Sequence, residues 1–205
     1  MLNIIFTVLF TLGIYYLVHY QGNLKKAVNL SKEALYPVKE EEFKSILLPL
    51  EWKEMEPLKE NTKSYQYVKW GTRIVLVLLS VLLWIVLMTD WLGTSFFSFA
   101  YLFFIILSAI KHPGNLFILS EGIVLDGRYY PSKQIKYYET EKIIRWHELY
   151  GLDSQVNNAY KLTFKLKNKL FGSDFVVVKD ETHLEQILAL LEKQGISGIR
   201  KGEVV

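Results

Sequence analysis

Cysteine is absent from this 205-residue chain. Its absence removes disulfides and thiolate chemistry, and it leaves the compartment to be argued from charge. Histidine is scarce as well: His19, His112, His147 and His183 lie far apart, and none has a ligand spacing such as H-x-x-x-H. A metal centre is not expected. No Gly-rich phosphate loop and no G-x-S-x-G occurs, and the Ser, Asp and His residues follow no recognisable nucleophile order. Asp153-Ser154 and Asp174 read as turn residues by type. The chain is therefore read as a non-enzyme, with no catalytic residue and no cofactor.

What the sequence does contain is three long apolar runs, Leu2 to Val18, Ile74 to Met88 and Phe96 to Ile110. Each is near the length that crosses a hydrocarbon core of roughly 30 Å. No Lys or Arg precedes the first run and His19-Tyr20-Gln21-Gly22-Asn23 follows it, which is the pattern of a retained anchor and not of a cleaved signal. Trp70 and Trp91 bracket the second span at the depth where indole rings prefer to lie. The turn Thr89 to Ser95 is short enough to make spans two and three an antiparallel hairpin, and the third span exits through Lys111-His112-Pro113-Gly114.

No ionisable side chain falls inside a span, which argues against a transporter or channel built from one copy. Phe96, Phe97, Phe99, Tyr101, Phe103 and Phe104 are read as lipid-facing and interhelical packing. Thr7, Thr11, Gly13 and Ser80 are small or polar positions that let helices approach. Lys25, Lys26, Lys32 and Lys39 follow the first span, Lys59, Lys63, Lys69 and Arg73 precede the second, and the turn 89–95 has no basic residue. By the positive-inside rule the N-terminus is outside, and residues 21–71 and the C-terminal domain are cytoplasmic.

Residues 21–71 carry nine Lys against eight Glu, too balanced for a polybasic lipid-binding arm. The segment is predicted to be helical. Leu24, Ala27, Val28, Ala34 and Leu35 share one face, and Phe43, Ile46, Leu47 and Leu50 follow helical spacing, with Pro37, Pro49 and Pro57 as breaks. The cover for these stripes is either the membrane surface or the C-terminal domain. Glu40-Glu41-Glu42 suits the positive end of a helix.

From Asn115 onward the pattern shortens to strands, at about 115–120, 123–126, 128–130, 134–140, 142–148, 159–167 and 173–179. Turn signals such as Glu121-Gly122, Asp126-Gly127 and Asn157-Asn158 separate them. An amphipathic helix follows from Thr182 to Gln194, with Thr182 as N-cap, Glu185 completing a capping box and Gly195 as the stop. The predicted fold is membrane α-helical, with three spans, plus a mainly-β, pleckstrin-homology-like (PH-like) barrel closed by a C-terminal helix. An open sheet with one covering helix is the competing fold. The predicted divisions are an anchor at 1–20, a juxtamembrane segment at 21–71, the hairpin at 72–111, the PH-like domain at 112–197 and a tail at 198–205.

Gly122-Ile123, Tyr130-Pro131, Ile135-Lys136-Tyr137-Tyr138-Glu139 and the helix start at His183-Leu184-Glu185 form a pattern. Over about residues 115–195 it resembles the bacterial PH-like domains carried by small uncharacterised membrane proteins of Gram-positive bacteria. The resemblance implies a membrane-tethered module, and some such proteins are associated with bacteriocin immunity. The loop Ser120-Glu121-Gly122 is short and acidic, so phosphoinositide binding is not expected. Thirteen basic against twelve acidic residues from 115 onward do not indicate nucleic acid either.

Arg145, Trp146, His147 and Tyr150 form the candidate partner site, because Trp, Tyr and Arg are the types enriched at binding hot spots. The favoured plainer reading has Trp146 filling the barrel and Tyr150 capping one end. On a strand, adjacent His147 and Glu148 point to opposite faces and share no site. Two functions follow: an inner-leaflet module that binds a protein or self-assembles, or an immunity or envelope-stress protein that shields the membrane or a membrane target. An alkaline phosphatase fusion at Val205 is expected to be inactive, and an active fusion would reverse the topology.

Overall fold

The computed structural model describes residues 2–49, 52–88, 115–167 and 175–201. The third predicted span with its aromatic cluster, the turn 89–95 and the exit at 111–114 lie outside the described residues, as does Leu50. The helices are α1 (Leu2–Ser31), α2 (Glu40–Lys44), α3 (Lys63–Met88) and α4 (Glu181–Lys193). The strands are β1 (Ile46–Leu48), β2 (Lys53–Glu54), β3 (Leu116–Ile118), β4 (Gly122–Leu125), β5 (Arg128–Pro131), β6 (Ile135–Lys142), β7 (Tyr160–Leu166), β8 (Phe175–Val178) and β9 (Gly198–Lys201). The chain divides into two compact units, residues 1–25 with 59–112, and residues 26–58 with 113–205.

In the first unit, α3 contains Tyr65–Trp84, among the described residues the one helical stretch long and apolar enough to cross a membrane, with mean hydropathy 1.5. Ile74, Val77, Leu78, Val81 and Trp84 are exposed along it, while Tyr65, Val68, Thr72 and Leu79 are buried at helical spacing. An exposed apolar face of that length is what a lipid-facing helix presents. Ser80 donates back to the Leu76 carbonyl at 2.8 Å, and Thr11 in α1 does the same to Thr7 at 2.7 Å. Neither hydroxyl is left to seek a partner across helices. Helix α1 continues past the predicted end of the anchor to Ser31, since no proline interrupts it and Leu24, Lys25, Lys26 and Ala27 are good helix formers.

The second unit is built on two sheets, one ordered β2-β1-β8-β7-β6-β9 and one ordered β3-β4-β5. Here the predicted helical segment is corrected. Residues 21–31 are helical as the end of α1, with Leu24, Ala27 and Val28 buried, and α2 forms as a short helix, but Ile46, Leu47 and Leu48, all buried, run as a strand between β2 and β8. The physical reason is pairing with the distant β8, helped locally by Pro49, which turns Leu48 towards extended backbone, and by three consecutive apolar residues that suit a strand covered on both faces. Ile46 pairs with Val178 and Leu47 with Val177, so the C-terminal domain covers this stripe. Leu35, predicted on an apolar face, is exposed.

Tyr36 anchors the same segment to the other sheet. Its carbonyl accepts from Ile118 N at 2.8 Å, and its hydroxyl meets Ser45 Oγ at 3.0 Å. Burial pushes this phenol up to about 12, against the opposing effect of the Ser45 hydrogen bond. The three-stranded sheet follows the predicted turn chemistry. Asp126 and Gly127 both take positive φ, 51° and 70°, as a tight hairpin between β4 and β5 requires.

The long β6–β7 pair runs antiparallel from Ile135↔Leu166 to Lys142↔Tyr160. Helix α4 buries Leu184, Ile187, Leu188 and Leu191, the predicted stripe, and lies near β3 and β8. Its start is corrected by two residues: Asp180 is the N-cap, accepting from His183 N at 3.0 Å, where Thr182 was expected. Gly195 closes the helix with φ of 74°. The predicted strand 142–148 does not continue beyond Lys142, and the predicted tail contains β9, which pairs in parallel with β6. The sheets and α4 together are compatible with a barrel-like domain.

Because Leu47 is fully enclosed, Leu47→Ala should destabilise the domain by about 2–5 kcal/mol in denaturant unfolding of the whole chain. A juxtamembrane helix resting on lipid would give no such loss.

Candidate interaction surface

The chain leaves β6 at Ile143 and returns to β7 at Ala159 through a compact loop whose neck is closed by backbone bonds. Ile143 N donates to Ala159 O at 2.8 Å, and Asn158 N donates to Ile143 O at 2.9 Å. Inside the loop, turns are fixed by His147 N to Ile144 O at 2.8 Å, Tyr150 N to His147 O at 2.9 Å and Gly151 N to Asn157 Oδ1 at 2.8 Å. These local bonds compete with continued strand pairing, which is why 142–148 does not extend the ladder. Asn158 adopts φ of 65° at the returning corner, a conformation Asn tolerates well.

The loop carries its own apolar anchor. Ile143, Leu149, Val156 and Ala159 pack with Leu47 of β1 and Val177 of β8, with Trp52 and Phe175 at the margin. Loops that pack on their own side chains hold a definite shape. Against this anchored base, Trp146 is 89% exposed, Leu152 58% and Ile144 50%, and Arg145 and Tyr150 are also exposed. Trp is usually well buried, so its near-complete exposure on an ordered loop is uncommon.

The predicted site residues therefore part company. Arg145, Trp146 and Tyr150 share the exposed loop, and the reading in which Trp146 fills the barrel and Tyr150 caps it is overturned. His147 instead turns inward as a clamp. Its Nδ1 accepts from Leu149 N at 3.0 Å, which leaves Nε2 to carry the proton that faces Glu141 Oε2 at 3.2 Å. Glu148 goes elsewhere, to Lys161 Nζ at 2.6 Å. The two neighbours do serve different sites, though through loop geometry and not strand alternation. Ile144 and Leu152 belong to the surface and were not singled out from sequence, where alternation alone would place an isoleucine and a leucine inside.

Glu141 is the electrostatic centre beneath the loop. Burial pushes its carboxyl up, but hydrogen bonds from Lys201 and His147 and the charges of Lys201 and Lys161 outweigh that and hold it below the ordinary carboxylate value. Lys201 Nζ lies 3.2 Å from Glu141 Oε1 and 3.0 Å from Glu139 Oε2. Among the described residues no group of three or more His, Cys, Asp or Glu side chains comes together as a metal site. Comparison with known protein families, curated proteins and solved structures finds no match for this chain.

A carboxyl held below its unfolded value contributes stability that is complete above the ordinary carboxylate range and lost as pH falls through the depressed value. Amide exchange at His147 to Leu149, corrected for intrinsic pH dependence, should therefore accelerate as pH falls below the ordinary carboxylate range. In Glu141→Gln the step should vanish.

Proposed function

We propose that this protein is a membrane-tethered PH-like interaction module, held at the inner leaflet, which binds a protein partner through the exposed loop around Trp146. The tether is read as three transmembrane helices with the N-terminus outside and the domain in the cytoplasm, following the lysine distribution. What supports a tether is the apolar stretch Tyr65–Trp84 and its exposed face. What supports a PH-like reading is the pair of sheets with a C-terminal amphipathic helix, together with the resemblance over residues 115–195.

The single observation that carries the binding function is the pairing of an anchored loop with an outward tryptophan. An ordered loop loses little further entropy on binding, and Trp, Tyr and Arg bury much area for few rotatable bonds. Tethering adds local concentration, so contacts that are weak in solution become effective at the membrane.

The test is photocrosslinking in intact membranes from a benzophenone side chain placed at Leu152, with adducts identified by mass spectrometry. A protein adduct of defined mass is expected, and Trp146→Ala should weaken it by about tenfold or more, as removal of a hot-spot aromatic does. An adduct unchanged in Trp146→Ala, or adducts with lipid alone, would remove this function.

A further inference from the structure

A second surface, distinct from the Trp146 loop and independent of that proposal, lies at the free edge of the large sheet. β6 is held firmly on one side by β7, from Ile135 to Lys142. On its other side, among the described residues, it pairs only with β9, four residues that are all exposed and that run in parallel, Tyr138↔Gly198 to Glu141↔Lys201. The contrast with β1 is direct, since all three residues of that strand are buried. β9 buries no side chain, and Ile199 is half exposed.

β9 is held by its parallel backbone pairing, which Tyr138 N extends by donating to Ser197 O at 3.0 Å, by charge and by one close fit. Lys201 reaches Glu139 and Glu141 of β6, and Arg200 meets Glu185 of α4 at 2.9 Å. Gly198 lies against the ring of Tyr138, and a Cβ built there would overlap the far end of that ring, so a larger residue at this position has to displace the tyrosine. A cleft of about 230 Å³ opens beside the strand, walled by Glu141, Lys142, Glu181 and Glu185 on the body and by Arg200 and Lys201 on β9. The body's own cations are engaged: Lys142 sits over the Tyr160 ring at 5.3 Å, and Lys165 is 3.8 Å from Glu139. Without β9, four carboxylates, Glu139, Glu141, Glu181 and Glu185, would face three lysines, Lys142, Lys161 and Lys165, and the β6 edge would lose the backbone partner that β9 supplies.

We infer that the β6 edge is a strand-acceptor groove for an extended, basic segment of a partner protein, of the pattern glycine, apolar, basic, basic, and that β9 occupies it in cis as a displaceable strap. The chain's own Gly198-Ile199-Arg200-Lys201 shows the chemistry that fits. Backbone pairing supplies affinity, and the glycine shelf at Tyr138 with the carboxylates of Glu139, Glu141 and Glu185 supplies selection. Exposed ion pairs add little net stability and β9 buries no side chain, so the strap rests on backbone pairing that another extended segment can also make, and a partner segment brought close on the same membrane competes with it.

The test uses the absence of cysteine, which makes a single Lys136→Cys position a clean site for an environment-sensitive fluorophore. The probe is the peptide Ile-Ser-Gly-Ile-Arg-Lys-Gly, titrated into the detergent-solubilised chain. A chain ending at Ser197 should saturate with peptide, and the full chain should need at least tenfold more. A peptide with valine in place of its first glycine should not bind, and Glu139→Gln with Glu141→Gln should weaken binding at least tenfold. Equal responses of cut and full chains, no response of the cut chain, or binding of the valine peptide would each overturn the inference. If the cut chain loses its fold, full-length Gly198→Val replaces it, and unfolding of both would show that β9 is an integral strand and sink the idea. Trp146→Ala should leave the peptide response unchanged, so failure here and failure at the loop are distinguishable. A Glu139→Cys, Ile199→Cys chain should form its disulfide within one chain, and a disulfide-linked dimer would instead make the strand's home a second copy.

Discussion

The antiparallel pairing of β1 with β8 is the constraint on which the second unit depends. It brings Ile46 against Val178 and Leu47 against Val177, and it makes the core discontinuous in sequence, with residues 59–112 inserted between its two parts. The same strand supplies Leu47 to the cluster under the 143–159 loop. The sheet and the anchored loop both trace back to one short apolar strand that the chain contributes before α3. Removing its side chains empties the centre of the domain and the base of its candidate binding surface together.

Glu141 joins the two exposed features of this domain. One oxygen of its carboxylate faces His147, which shapes the loop, and the other faces Lys201, which fastens the final strand. Partly buried, it is kept ionised by the cations around it. A single side chain is therefore shared between a rigid element and a loosely held one, and a change at either end alters the electrostatic environment of the other.

Much of the second unit was legible because its signals are local. Asp126-Gly127 specifies a tight hairpin, alternation in Tyr160 to Leu166 specifies a half-buried strand, and Leu184, Ile187, Leu188 and Leu191 specify a helix stripe. What was not legible is decided at long range. Phe43, Ile46 and Leu47 fit helical spacing, and only the distant β8 makes a strand of the last two. β9 has no buried apolar pattern, because its place is set by backbone pairing with β6, a glycine against Tyr138 and ion pairs. The outward Trp146 runs against the average behaviour of tryptophan, and no periodicity predicts a residue whose environment is set by turns in a loop.

The split core also sets an order of events during synthesis. β1 leaves the ribosome more than a hundred residues before β8 exists to receive it. Ile46, Leu47 and Leu48 must wait unshielded while the intervening stretch is translated, so this domain cannot condense from its N-terminal end as polypeptides commonly do. Where nascent chains crowd together, the waiting strand of one meets the newly made β8 of another before either has closed, and correct assembly becomes a race between closure at home and capture next door.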